Sequence, residues 1–332
     1  MPFHEIISNM KFIKIDPHVH CRDGVQSYKE TIAHVFQIAD SQGVQKFFDI
    51  PNTAPPVILE KDVKNRLKLV PQNRLKDYYL YIGATSNKKQ LKQAIDCWRK
   101  YRQVIGIKMF AGHSVGSLAI VSPQKQKVVY QTLASLDYRG VLAVHCEKEE
   151  LLEIKKFNPK QPFTHSLSRP KIAEIQSIKE QIKLASLSKF KGTLHICHIS
   201  TPQSVTLVNQ AKKHLRITCG ITPHHLLWNY SKLKQDNGLL YKINPPLRSP
   251  NDVYQLRKML FEGKIDWIET DHAPHPIAEK LYPPYMSGFP SLILYRYLVE
   301  NRLPAWGFKT SQIKKLTSSN IMKTFNDHQK LS

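Results

Sequence analysis

IDPHVHCRDG, residues 15–24, ends an apolar run with two histidines one residue apart and an arginine two residues further on. The preceding KFIKID alternates as a strand does, and a strand's period of two sends His18, His20 and Arg22 to one face. Two imidazoles and a guanidinium in one small volume repel one another unless an anion or a metal ion lies between them. H-x-H alone is also compatible with ordinary surface histidines, so its meaning depends on the rest of the chain.

Outward from this stretch, one strand-then-helix pattern repeats. YKETIAHVFQIADSQG carries a helical stripe of Tyr28, Ile32, Val35, Phe36 and Ala39, Gly43 ends it, and VQKFFDI follows as a second buried strand. Further strands are expected at 78–84, 104–110, 141–146, 193–199, 215–220 and 265–272, which makes eight. Helical patterns separate most of them, notably LKQAIDCWRKY, PQKQKVVYQTLASLD, RPKIAEIQSIKEQIKLASL and TPQSVTLVNQAKKH. Repeated β-α units imply a parallel sheet, and eight of them in 332 residues predict an α/β fold of the (β/α)8 TIM barrel type, a single domain over 1–332. The stretch from about Ile221 to Gly263, with PHHLLW and NPPLR, reads as irregular functional loop.

Composition narrows the classes of function. No apolar run is long enough to cross a bilayer, and MPFHEIISNMKF lacks the apolar core and cleavage site of a secretory signal, so a soluble cytoplasmic protein is expected. The five cysteines, Cys21, Cys97, Cys146, Cys197 and Cys219, contain no C-x-x-C pair and fit a reducing compartment. A formal charge of +23 would suit an anionic partner. The basic pieces KKQLKQ, WRKYRQ, AKKHLR and IKKL nevertheless read as wet helix faces, and no nucleic-acid motif accompanies them.

In a barrel, the C-terminal ends of all strands surround one mouth. There fall His18 and His20 from strand one, Asn52 after strand two, Lys108 near the end of strand four, His145 from strand five, His198 from strand six and Asp271 from strand eight. Four histidines and a carboxylate are a mixed N/O set suited to zinc and its neighbours, and too many for one ion with an open position, which implies a binuclear metal site. Lys108, amid Ile107, Met109 and Phe110, is costly to bury as an ammonium and would repel metal ions. Carboxylation by carbon dioxide to an anionic, bridging carbamate removes that conflict; a salt bridge across the mouth is the alternative.

DPHVHCRDG, PNTAPP, GIKMFAG, AVHCE, HICHIS, TPHHL, NPPLR and TDHAPH, in that order between residues 16 and 275, closely resemble the dihydroorotases of the amidohydrolase superfamily. The resemblance implies reversible closure of N-carbamoyl-L-aspartate to L-dihydroorotate in pyrimidine biosynthesis. It implies that His18, His20 and Asp271 hold one Zn2+, that His145 and His198 hold a second, and that N6-carboxylated Lys108 and a hydroxide bridge them. Two metals would lower the pKa of the bridging water, and Asp271 would be the catalytic proton carrier. Arg22 would meet the substrate carboxylate bidentately, with Asn52, Asn244 and His275 as further substrate-binding residues. Asn52 is equally readable as a turn residue before Thr53. The partners implied are the small-molecule substrate, a second copy in a homodimer, and aspartate transcarbamoylase.

Departures from the family pattern are specific. Gly220 stands where a glutamate commonly precedes the I/V-x-P-H-H-L segment, Lys108 assigns the chain to the carboxylated-lysine branch, and His18 near the start with Ser332 at the end resembles a barrel-only form. His195, three residues from His198, is expected on the opposite face, in a supporting or core position; Cys197, beside His198, is placed to contact metal but reads more simply as a small buried thiol. A hydantoinase or allantoinase would share the metals, but a hydantoin has no carboxylate for Arg22 and Asn52 to grip. A silent scaffold for aspartate transcarbamoylase would be expected to have lost at least one ligand.

Overall fold

The computed structural model describes residues 12–325 and 330–331; MPFHEIISNMK, on which the reading of no secretory signal rests, lies outside them. Eight parallel strands follow one another in sequence order: β1 (Ile15–Val19), β2 (Lys46–Asp49), β3 (Tyr78–Gly83), β4 (Val104–Phe110), β5 (Val141–His145), β6 (Thr193–Ile196), β7 (Ile217–Ile221) and β8 (Trp267–Ile268). A parallel bridge from Val19 to His272, with His20 N donating to His272 O at 2.8 Å, brings the last strand back to the first. The sheet is thus a nearly closed barrel. Helices α1 (Ile32–Ser41), α2 (Glu60–Lys68), α3 (Lys88–Lys100), α4 (Pro123–Ser135), α5 (Lys171–Leu187), α6 (Pro202–Ala211) and α7 (Pro250–Phe261) lie between the strands.

Local chemistry sets the helix starts. Thr31, Ser122, Thr201 and Ser249 each accept a backbone N–H of the first turn, and proline opens α4, α6 and α7 where its missing donor costs nothing. Because Thr31 caps α1, Tyr28 precedes the helix and is 65% exposed, outside the stripe expected for it. Ser249 and Asp252 form a capping box for α7, so the end of the stretch expected to be irregular is a regular helix.

The core has two layers. Phe47, Leu80, Ile107, Leu142 and Leu194 point outward onto helix residues such as Val35, Leu91, Val129, Ile178 and Val205, while Ile15, Phe48, Tyr79, Tyr81, Ile105, Ala143 and Trp267 fill the barrel. Each buried Val, Leu, Ile or Phe among them contributes about 1.5–3 kcal/mol. The barrel below the mouth is therefore packed solid, and the polar cluster rests on an apolar floor.

Two register shifts determine what faces that interior. Pairing slips in β1 between Asp16 and Val19, and in β4 between Val104, opposite Leu80, and Gly106, opposite Tyr81. An extra residue resets the alternation, so Ile105 and Lys108, three residues apart, both face inward. Strands six and eight end earlier than expected, at Ile196 and Ile268. His198 (φ 36°) and Asp271 (φ 48°) adopt left-handed backbone, which cannot continue a strand and costs roughly 1–2 kcal/mol per non-glycine residue. Among the described residues no helix is long and apolar enough to cross a membrane.

Candidate metal centre

Side chains from four strand ends converge at the mouth. Asp271 Oδ1 lies 3.0 Å from His20 Nε2 and 3.4 Å from His18 Nε2, and the three donor atoms all fall within 4.8 Å of one another. On the facing strands His145 Nδ1 is 3.2 Å from His198 Nε2. The His18 and His198 rings, 5.1 Å apart, join the two groups into one cluster.

The remaining nitrogen of three of these imidazoles faces an oxygen that orients its ring. His20 Nδ1 meets Asn52 Oδ1 at 2.7 Å, His145 Nε2 meets Glu147 Oε2 at 3.1 Å, and His18 Nδ1 faces Glu269 Oε1 at 3.8 Å. Arg169 donates through Nη2 (2.6 Å) and Nε (3.0 Å) to Glu147 Oε2. Burial alone would raise the Glu147 pKa, but Arg169 and His145 hold it far below the usual carboxylate range. Imidazoles pinned at one nitrogen present the other as a fixed lone-pair donor. Burial pulls His20 down to about 4 and His198 well below its ordinary value, so both are neutral, the form a metal requires. Burial would likewise raise Asp271, yet the bond to His20 and the neighbouring His18 hold it below the usual carboxylate range. His18 differs from the other two: against burial and Lys108, its contacts with Cys197 and Glu269 push it up to about 9, so a metal bound there must displace a proton.

Lys108 is fully buried, with Nζ 2.9 Å from Cys197 Sγ and 5.1 Å from the centre of the Phe110 ring. No carboxylate among the described residues is in ion-pair contact with it, so the salt bridge across the mouth is not formed. Lys108 and His195 overcome the effect of burial on Cys197 and lower its thiol to about 5, and His18, Cys197 and Glu269 form a second group of potential ligand atoms within 4.8 Å. Cys197 is as buried as expected, but it contacts the polar cluster rather than apolar packing alone. Gly220 has a spatial reason: a Cβ there would lie 2.4 Å from Glu269 Cδ, so only glycine admits that carboxylate.

Above the cluster lies a small cavity bordered by His18, His20, Asn52, His145, His198 and Asp271, together with Arg22 and Asn244. Arg22, 2% exposed, has left-handed backbone (φ 53°). Its Nη2 meets His275 Nε2 at 3.2 Å, its Nε has no hydrogen-bond partner, and no carboxylate among the described residues pairs with it. Burial lowers it only to about 10, so it remains a cation. Asn244 Oδ1 is also buried without a partner, whereas Asn52 Nδ2 donates to Val115 O at 2.8 Å. His275 lies behind Arg22 rather than on the cavity wall, its Nδ1 2.8 Å from Glu279 Oε2.

His195 has the buried, supporting place expected of it but not the expected face. It faces the interior, with Nε2 2.9 Å from Glu269 Oε2 and its ring 4.4 Å from that of Trp267. Counting by two fails because the strand stops at Ile196 and the left-handed turn at His198 swings that side chain inward. Glu147, Arg169 and Glu269 were not singled out from sequence. Both glutamates sit two residues from a selected one, His145 and Asp271, but beyond the ends of β5 and β8, where alternation no longer reports which way a side chain faces.

No protein-family model matches the chain. The dihydroorotase of Methanosphaera stadtmanae is 29% identical over 321 residues, covering 94% of this chain and 70% of the relative. That of Methanosarcina mazei is 31% identical over 278 residues (80% of this chain, 58% of the relative), and that of Pyrococcus furiosus 32% over 266 residues (80% and 55%). The chain thus spans little more than half the length of some curated relatives. An L-hydantoinase structure from Arthrobacter aurescens matches with TM-score 0.83 at 22% identity over 94% of this chain and 70% of that one. A dihydroorotase structure from Campylobacter jejuni matches with TM-score 0.69 at 20% identity over 95% and 83%. At such identities the structures speak for the shared barrel alone.

Proposed function

The chain is a homologue of the dihydroorotases, and on that premise we propose that it is an amidohydrolase that interconverts L-dihydroorotate and N-carbamoyl-L-aspartate in pyrimidine biosynthesis. The observation that carries this reading is Arg22: a buried guanidinium on the cavity wall, with one nitrogen free and no carboxylate of its own. An uncompensated buried cation is costly unless a ligand anion completes it.

His18, His20 and Asp271 would hold one Zn2+ and His145 with His198 a second, with Lys108 as its N6-carboxylate between them. The donor set fits, because the unpinned ring nitrogens and Asp271 crowd together, and because a carbamate would present an anion to the ions where the Lys108 side chain now meets the Cys197 sulfur. Such ions supply an activated water and a polarised amide carbonyl. Asp271 presents Oδ1 to His18 and His20, which leaves Oδ2 to take the water's proton and hand it to the departing ring nitrogen. Asn52 fixes His20, and the free Asn244 Oδ1 accepts from a ring N–H. The five free thiols, all buried, fit a reducing, cytoplasmic setting.

The second reading, a hydantoinase-type cyclic amidase, draws on the barrel match to L-hydantoinase. Turnover of dihydroorotate, hydantoin and allantoin by protein purified with zinc and bicarbonate separates the two. Preference for dihydroorotate is expected, and faster opening of either neutral ring overturns the assignment.

A further inference from the structure

Arg22 holds a backbone conformation that a non-glycine residue rarely adopts, and its peptide neighbourhood is gripped from both sides. Asp49, the last residue of β2, accepts the Cys21 N–H at Oδ1 (3.0 Å). Its Oδ2 accepts Arg66 Nε from α2 (2.7 Å) and the Tyr78 hydroxyl from β3 (2.6 Å). Arg66 then donates through Nη1 to the carbonyl of Arg22 itself. One ion pair, Asp49–Arg66, thereby holds the N–H of Cys21, the residue before Arg22, and the carbonyl of Arg22 itself. Arg66 is 5% exposed and Asp49 2% exposed, and neither borders the metal cluster or its cavity.

A clamp of this kind has a purpose only if the direction of the Arg22 side chain matters. Left-handed backbone persists where surrounding contacts over-determine it, and it occurs at sites that must aim a side chain. Released from the clamp, residue 22 would relax toward ordinary backbone and carry its guanidinium away from the cavity wall. We propose that Arg66 is a positioning residue for carboxylate recognition, acting through Arg22, with Asp49 as its anchor. This rests on the reading of Arg22 as the carboxylate receptor; it adds where that specificity is held, a buried ion pair behind the receptor.

The test is a double-mutant cycle on metal-loaded protein, read by calorimetric binding of orotate, an unreactive ring carboxylate, and by steady-state kinetics. Arg66→Met should weaken orotate about tenfold and raise KM for dihydroorotate by a similar factor, with kcat within about threefold of wild type. In an Arg22→Met background the same change should have no further effect on orotate binding. Since Arg66→Met leaves Asp49 unpaired and could fail to fold, Arg66→Lys is the second variant. It keeps a charge beside Asp49 but has one nitrogen where two groups must be reached, and should weaken orotate about fivefold. Metal content and turnover of neutral hydantoin should be unchanged in Arg66→Lys. Wild-type orotate affinity in Arg66→Lys, equal losses on charged and neutral rings, or an undiminished Arg66 effect without Arg22 would each overturn the proposal. Orotate binding is read without turnover. A protein that binds orotate through this couple yet leaves dihydroorotate intact refutes the assigned reaction and keeps the positioning role.

Discussion

His145 Nδ1 and His198 Nε2 face each other at 3.2 Å, and while Glu147 holds the far nitrogen of His145, Nδ1 of His198 has no partner. Two buried imidazoles so placed have one proton at most to share between them. A cation between their lone pairs would satisfy both.

Two divalent metals per chain are therefore expected, and elemental analysis after purification with zinc and bicarbonate checks the number. Because a ligand bound only to the folded state stabilises it, stripping with a chelator should lower the melting temperature, and restoring zinc should recover it. One metal or none, with no shift on chelation, would count against the centre.

Lys108 is expected to act as a carboxylate rather than a cation. Lys108→Ala should reduce turnover to background, and short carboxylic acids in the buffer should restore part of it. Substantial activity in Lys108→Arg, which preserves charge and cannot form the carbamate, would exclude that role.

For Arg22, a bidentate pair in a partly dry pocket contributes about 2 to 4 kcal/mol, so Arg22→Met should lower kcat/KM for dihydroorotate by on the order of 10². Metal content should hold, and a neutral hydantoin should be little affected. Equal losses on both substrates would mean that Arg22 braces the mouth instead of reading a charge.

Acid should destabilise the fold through two histidines outside the cluster. His165 Nε2 faces the carbonyl of Ile243 at 2.8 Å and His225 Nε2 that of Pro245 at 3.1 Å. Burial, aided by Lys242 and Arg169 for the first and by His224 and Arg248 for the second, holds both well below their ordinary pKa. Below about pH 6.5 the unfolded chain gains protons that the folded chain refuses, so stability falls with pH by up to about 1.4 kcal/mol per unit for each histidine. Denaturant midpoints between about pH 7.5 and pH 5 measure this slope. His165→Gln and His225→Asn should each flatten it, and an unchanged slope in both would refute the assignment.

Much of the barrel is legible along the chain because its signals are local. The helical patterns of α3 through α6 and the apolar run of β4 each depend on a few neighbouring residues. Tyr28 was misplaced because its spacing fits the stripe, while the cap at Thr31 stops the helix short of it. Clustering of His18, His20, His145 and Asp271 follows from strand order plus the rule that strand ends share one mouth.

By itself, then, the sequence determined the number and order of the strand–helix units and the kinds of side chain carried at each strand end. Only the tertiary structure decided which way those side chains point. Alternation reports facing relative to the next residue on the same strand; the absolute phase is set by hydrogen bonds to other strands. That is why the slips in β1 and β4, the inward face of His195 and the place kept for Glu269 by Gly220 were not readable in advance. Closure depends on contacts such as Thr270 N to Asp16 Oδ1, 2.9 Å apart in space and 254 residues apart in sequence. No local pattern encodes such a contact, because it forms only once the intervening units have packed and met the entropy of closing so long a loop.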